Sequence, residues 1–304
     1  MITTTAVAPT TVEITVPGGI DLARCAAFRP GFVPDAAVAD SEPGTLGLAF
    51  AVEGSWDHVG VLVRQRAPDV VSVELVAPPD TVLAAVSQVR RMLSLDLDGN
   101  RFAVVAAGDP VLGVLRARNP GLRPMLFHSP YEAACWAILC QRNRMSQAAR
   151  LMQQLAERFG RRVEVGDRRL TSFPAPDVLR DLDQPPGLSH ERTQRLVAIA
   201  GAARAGLLDG AALREMAAED ALTLVRQLPG IGPFSAELIV SRGAGHPDVF
   251  PAYETRLHTV MAAAYRTHEL DELEAIAKRW QPYRSWASFL LRAVAPFGGQ
   301  SRER

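Results

Sequence analysis

The chain has few cysteines, a single lysine and no long apolar run. Of its 304 residues only three are cysteines, Cys25, Cys135 and Cys140. That is too few for a disulfide scaffold, and no CxxC spacing marks zinc or iron–sulfur ligation. No apolar stretch reaches the ~18–20 residues that span a bilayer, so no membrane partner is expected. Met1–Gly19 lacks a basic segment followed by a long apolar one, so no secretory signal is expected and a reduced cytoplasm is the default. What is present suffices for packed cores: 48% of the residues are hydrophobic. The 33 basic and 33 acidic side chains cancel, but unevenly, with −6 over residues 1–100 and +6 over 101–304. A basic second part permits contact with a nucleic acid. Arginine carries nearly all of that charge, Lys278 being the one lysine.

Residues 1–110 read as an α+β unit. Thr11–Val16 and Thr45–Val52 have strand composition, and Val61–Arg66 with Val70–Val76 form a hairpin across Ala67-Pro68-Asp69. Helices fit Asp21–Phe28 and a longer segment opening at Pro79-Asp80 and running through Val82, Val86, Val89 and Met92. The simplest arrangement is an antiparallel sheet with helices on one face. A boundary is expected within Asp96–Gly113, and from there the pattern is helical. Tyr131–Cys140, Ser146–Phe159, Glu191–Ala205, Ala211–Ala217, Asp220–Leu228, Phe234–Arg242, Leu270–Trp280 and Tyr283–Ala295 are joined by short links such as Pro185-Pro186-Gly187 and Gly243–Pro247.

The stretch that carries chemistry is Leu228-Pro229-Gly230-Ile231-Gly232-Pro233-Phe234-Ser235-Ala236-Glu237-Leu238. Gly230 and Gly232 allow positive φ and close backbone approach, and Pro233 suits a first helical turn. A tight hairpin between two helices would leave amides facing outward, able to take a phosphate oxygen. Read alone, the same residues also fit a plain turn.

Around that stretch the chain resembles the helix-hairpin-helix DNA glycosylase superfamily, specifically the AlkA-like 3-methyladenine glycosylases. Gly121-Leu122-Arg123-Pro124, Pro130-Tyr131-Glu132-Ala133 and Ala137-Ile138-Leu139-Cys140-Gln141 are similar to the family's "GLRP…PFE…AILGQ". Leu188–Leu196 looks like its short turn and basic helix, Leu228–Gly232 its hairpin, and Asp248-Val249-Phe250-Pro251 its "DVFP". Trp280-Gln281-Pro282-Tyr283-Arg284-Ser285-Trp286-Ala287 resembles "W-x-P-W/Y-R-S-Y-A". The resemblance implies an α+β N-terminal domain over 1–110 followed by an all-α helix-hairpin-helix glycosylase domain over 111–304. It also implies hydrolysis of the N-glycosidic bond of a damaged, alkylated base flipped from duplex DNA.

Carried over residue by residue, the resemblance gives the backbone of Gly230, Ile231, Gly232 and Thr255 to the DNA strand, and Arg142 with Gln141 to the duplex wedge. Phe234, Trp286, Arg292 and Tyr131 fall in the base pocket; Phe234, Trp286 and Phe289 fit an apolar core as well. Glu254 stands where the family has its catalytic aspartate. Glutamate keeps the charge but adds a methylene: retreat from roughly 3.5 to 5 Å at an effective dielectric of ~20 loses about 1–2 kcal/mol. Glu254 also fits a plain helix start, where a carboxylate suits the dipole. Arg292 replaces a pocket tryptophan; its charge disfavours a cationic base and suits a neutral oxidised or deaminated one. Phe234 occupies the position of the Schiff-base lysine of some relatives, so no strand cleavage of that type is expected. His246 and His258 flank Glu254 without metal-ligand spacing. The resemblance implies no organic cofactor and no iron–sulfur cluster, with a sodium or potassium ion held by the carbonyls of Arg226, Leu228 and Ile231. A monomeric, nucleoid-associated enzyme is expected; the alternative is a damage sensor of the same fold with weak or lost activity.

Overall fold

In a computed structural model, the described residues are 9–28, 44–183, 185 and 187–294. Pro186 and Ala295, parts of an expected link and an expected helix end, lie outside them. Four strands, β1 (Thr10–Thr15), β2 (Thr45–Ala51), β3 (His58–Ala67) and β4 (Val70–Val76), form an antiparallel sheet of order β1-β4-β3-β2. Helices α1 (Leu22–Phe28) and α2 (Val82–Met92) send Leu22, Cys25, Val86 and Val89 into the same core as Val61, Val63, Val71 and Val73 of the sheet.

The segment expected as a boundary is instead helical. Helix α3 (Gly99–Ala107) starts where Asp98 accepts the amides of Asn100 and Arg101. Helix α4 (Pro110–Arg118) starts where Asp109 accepts those of Val111 and Leu112, with Pro110 in the first turn.

Among the described residues ten further helices and one π-helical turn follow: α5 (Pro130–Cys140), α6 (Met145–Phe159), α7 (Pro176–Arg180), α8 (His190–Arg204), α9 (Gly210–Glu215), α10 (Ala218–Arg226), α11 (Pro233–Leu238) with the π-helical turn over Ile239–Gly243, and α12 (Thr255–Tyr265). Then come α13 (Leu270–Lys278) and α14 (Arg284–Val294). Helix α5, buried from Pro130 to Leu139, is the axis of this body; Ser129 caps it by accepting the Glu132 amide.

The region expected to be all-α also contains a hairpin, β5 (Arg161–Val165) and β6 (Arg168–Ser172), turning at Gly166-Asp167. It lies over β2 and β3 where the sheet offers glycine. A Cβ at Gly47 would come within 3.2 Å of Leu170, and one at Gly60 within 3.2 Å of Val165. These short, arginine-rich strands owe their existence to that sheet face.

Apolar packing does not divide the chain at residue 110. One core joins the four-stranded sheet and α2–α4 to the C-terminal helices, through Leu257, Met261, Trp280, Trp286 and Leu290. A second joins α5, α6, α8, α10 and α11, with Ala51 and Trp56 reaching in from the sheet.

Candidate functional site

Two of the sequence motifs clasp each other. Asp248 accepts the Arg284 guanidinium at Nε (2.8 Å) and Nη2 (3.0 Å), and the Arg284 amide at 3.3 Å. Ser285 Oγ donates to the His246 carbonyl at 2.7 Å and accepts the Val249 amide at 3.0 Å. The strap 246–251 is thereby fixed to the start of α14, and the chain leaves it into Glu254, the residue preceding α12. His246 serves the same strap: its Nδ1 accepts the Asp248 amide at 3.1 Å while Nε2 faces the Met216 carbonyl at 3.2 Å. Burial pushes its pKa down, favouring the neutral ring this bonding needs. Arg123, from the first motif, is a structural staple. Its guanidinium donates to the carbonyls of Gly19, Ser94, Leu97 and Pro17 and lies 5.1 Å from the Trp286 ring.

A cavity of about 460 Å³ opens between the end of α5, α11 with its π turn, the start of α12, and α14. That volume suits a small organic ligand. Trp136, Phe234 and Phe289 form its apolar walls; Glu237, Arg242, Glu254, Ser288 and Arg292 supply the polar groups. Glu254 has no side-chain capping bond to α12. Its Oε1 instead takes the Arg292 Nε at 2.7 Å, both side chains being partly exposed. Two residues read separately in the sequence are therefore one ion pair across α12 and α14. Burial drives the Arg242 pKa down to about 10, with the nearby Glu254 opposing it. The Ser288 hydroxyl is buried with no hydrogen-bond partner among the described residues.

Glu237 was not among the expected site residues. It points from α11 into the cavity wall, 6% exposed, where Oε2 accepts the Tyr253 amide at 3.0 Å. Burial above all, with Glu254 nearby, raises its pKa to about 7, against the lowering effect of the Tyr253 and Ala252 amides. Its sequence signal was faint, a glutamate one turn into the helix after the Gly-Ile-Gly hairpin. Trp136 and Arg242, hidden in helical patterns, were missed for the same reason.

The hairpin lies beside this cavity. Gly230 adopts φ +81°, and a Cβ there would sit 2.8 Å from Arg195 Cδ and 3.0 Å from Ile138 Cδ1, so glycine is required twice over. Gly232 is extended (φ −89°, ψ −178°), with open space around it at the start of α11. Gln141 clamps the turn: its side-chain amide donates to the Gly230 carbonyl at 2.6 Å and accepts from Arg195 at 2.5 Å, and its own carbonyl accepts Arg192 at 2.7 Å. Next to it Arg142 is exposed at φ +56°, a left-handed conformation that is uncommon outside glycine.

The structure therefore brings Glu254, Thr255, Arg292, Phe234 and Gln141 to one cavity. It does not bring Trp286 or Tyr131 there. Trp286 is buried and stacks on Phe102, with centroids 4.3 Å apart and planes 10° apart. Tyr131 is buried, its hydroxyl donating to the Pro174 carbonyl at 3.1 Å and its ring meeting Trp56 edge-on. Both are core residues; an aromatic at helical spacing carries no mark of which core it fills.

No family model matches the chain. It is 29% identical over 240 residues to a protein of Mycobacterium tuberculosis named "Probable bifunctional transcriptional activator/DNA repair enzyme AlkA", covering 77% of this chain and 47% of that one. The chain thus spans about half the length of that relative. It is 27% identical over 217 residues to the DNA-3-methyladenine glycosylase of Bacillus subtilis, covering 68% of this chain and 70% of that one. Among solved structures, the 3-methyladenine DNA glycosylase of Archaeoglobus fulgidus superposes with a TM-score of 0.78 at 21% identity, covering 95% of this chain and 99% of that one. In motif order, in these relatives and in fold, the chain is similar to the AlkA-like 3-methyladenine glycosylases of the helix-hairpin-helix superfamily.

Proposed function

We propose that the protein is a monofunctional DNA repair glycosylase that hydrolyses the N-glycosidic bond of an alkylated base flipped out of duplex DNA. The observation that carries this is the aromatic-walled cavity beside the hairpin, with the Glu254 carboxylate fixed in its wall by Arg292. The backbone of Gly230, Ile231, Gly232 and Thr255 would hold a phosphate next to the lesion. Arg142, raised on its left-handed backbone, would fill the gap left by the base. Phe234 and Phe289 would stack on the flipped base.

As the base departs, the sugar develops positive charge, and a fixed carboxylate stabilises it. With Oε1 committed to Arg292, Oε2 of Glu254 is the oxygen assigned to the sugar cation and the attacking water. The water oxygen bonds to C1′ as its proton passes to Glu254 and on to solvent, the C1′–N bond breaks, and the bonding pair leaves with the base. A sodium or potassium ion at the hairpin is a second part of the proposal. The Leu228 carbonyl already turns inward to accept the Ile231 amide at 3.1 Å, and α10 ends at Arg226, where carbonyls run out of helical partners. Carbonyls of Arg226, Leu228 and Ile231 would hold the ion, which would add positive charge facing the phosphate. The enzyme would act as a monomer on the nucleoid without an organic cofactor; among the described residues no helix is long and apolar enough to cross a membrane.

The test is single-turnover base release from duplexes carrying 3-methyladenine, deaminated or oxidised bases. Release of the alkylated base is expected. Salt-sensitive DNA binding with no release of any base would overturn the enzyme reading in favour of a damage sensor.

A further inference from the structure

Cleavage of an N-glycosidic bond leaves the bonding pair on the base. A purine made cationic by ring alkylation departs neutral, whereas an uncharged lesion departs as an anion unless it receives a proton. Within the glycosylase reading, on which this inference rests, the cavity holds two carboxyl groups in unlike surroundings. Glu254 is tied to Arg292 at 2.7 Å and faces the cavity as a carboxylate. Glu237 is buried in the same wall, against the strap that leads to Glu254, with no cation on its carboxyl in the described structure, its contacts being backbone amides. Two neighbouring carboxyls in such unlike surroundings divide into an acid and an anion.

We propose that Glu237 is the general acid that protonates the departing base whenever the lesion is uncharged. The carbonyl oxygen of the protonated group is enough to accept the amides of Tyr253 and Ala252, leaving the O–H for the base. Burial holds the group half protonated near neutrality, at about 7. Glu237 also lines a second, smaller cavity of about 270 Å³ between α10, α13 and residues 248–253, which gives the spent carboxylate a path to solvent protons.

The charges around Glu237 come from every neighbouring element. Glu254 and Arg256 of the α12 start, Arg292 of α14 and Arg242 of the π turn face the first cavity. Glu219 and Arg226 of α10, the Asp248–Arg284 pair, and Glu274 with Lys278 of α13 face the second. Glu254 and Glu219 push the proton affinity of Glu237 up. In the reaction, the water oxygen bonds to C1′ as the C1′–N bond breaks, and the Glu237 proton passes to a ring nitrogen of the base. The proton of the attacking water goes to Glu254 and then to solvent, while Glu237 is reprotonated from the second cavity. One water is consumed and no redox partner is needed.

The experiment compares single-turnover release of hypoxanthine and of 3-methyladenine from otherwise identical duplexes, across pH 5.5–9, for wild type and Glu237→Gln. Hypoxanthine release should fall about tenfold per unit above roughly pH 7 as the acid ionises, while 3-methyladenine release should not follow that limb. Glu237→Gln should lower hypoxanthine release by about 10²–10³-fold, with the limb gone, and 3-methyladenine release by less than about fivefold. An equal loss on both bases, a limb that survives in the variant, or wild type that releases 3-methyladenine but no hypoxanthine would each overturn the assignment while leaving the glycosylase reading intact. Release of neither base overturns both. If Glu237→Gln does not fold, the two wild-type pH profiles decide the matter, since parallel profiles refute a general acid.

Discussion

Replacing Glu254 with glutamine keeps the shape and removes the charge, and the geometry sets the expected cost. A carboxylate about 3.5–5 Å from a developing sugar cation attracts it by about 3–5 kcal/mol at an effective dielectric of ~20. Arg292, whose Nε is 2.7 Å from Oε1, places a positive charge roughly 3 Å further out. That opposes the attraction by about 2–3 kcal/mol in wild type, but the arginine remains in the variant, so removing the carboxylate charge loses its full attraction of about 3–5 kcal/mol, or roughly 10²–10⁴-fold in rate. Losing the group that orients the attacking water adds to this. Glu254→Gln should therefore slow single-turnover release of 3-methyladenine by at least about 10²-fold, with DNA affinity in an equilibrium binding assay within about twofold of wild type. Because the pair acts as a unit, Arg292→Met should change the rate differently in the two backgrounds, with a coupling of about 1–3 kcal/mol. A Glu254→Gln enzyme within threefold of wild type would refute the reasoning: the carboxylate would then be serving only the ion pair.

Three further outcomes are expected. Arg142→Gly relieves the left-handed backbone at φ +56° and should raise stability by about 0.5–1 kcal/mol in urea unfolding. It should also slow release from a fully paired duplex by roughly tenfold, and less from a mismatch, because the wedge is gone. Gly230→Ala must fit a Cβ at φ +81° within 2.8 Å of Arg195; a cost of about 1–3 kcal/mol in stability and weaker, still salt-sensitive DNA binding should follow. Glu237 binds its proton more tightly in the folded chain, at about 7, than at its ordinary value of 4.5. The stability it contributes is therefore full below about pH 4.5 and is lost as pH rises through about 7, up to about 3 kcal/mol in all. Urea midpoints measured at pH 5 and pH 8 should differ less in Glu237→Gln than in wild type.

The matches and misses have separable causes. The strands of the sheet, α5 and the hairpin were legible because alternation, helical spacing and Gly-x-Gly are local properties of the chain. Helices α3 and α4 were not legible although Asp98 and Asp109 cap their starts, because a change in composition over the same residues also fits a boundary. The β5–β6 strands carry too many arginines to stand out by composition, and only the glycine-opened face at Gly47 and Gly60 makes them strands.

The sequence alone determined which residues to look for in the candidate site: Gly230 and Gly232, Glu254, Arg292 and the motif pairs around Asp248 and Ser285. Each belongs to a pattern whose spacing is fixed along the chain. Only the tertiary structure decided how they meet. Glu254 and Arg292 are 38 residues apart and read as two unrelated departures until α12 and α14 bring them to 2.7 Å. Trp286 and Phe289, three residues apart on one helix, part company because one side of α14 stacks on Phe102 while the other lines the cavity. Glu237 acquires its proton affinity from burial against the strap that leads to Glu254. A pKa set by desolvation belongs to the packed site and is carried by no residue alone.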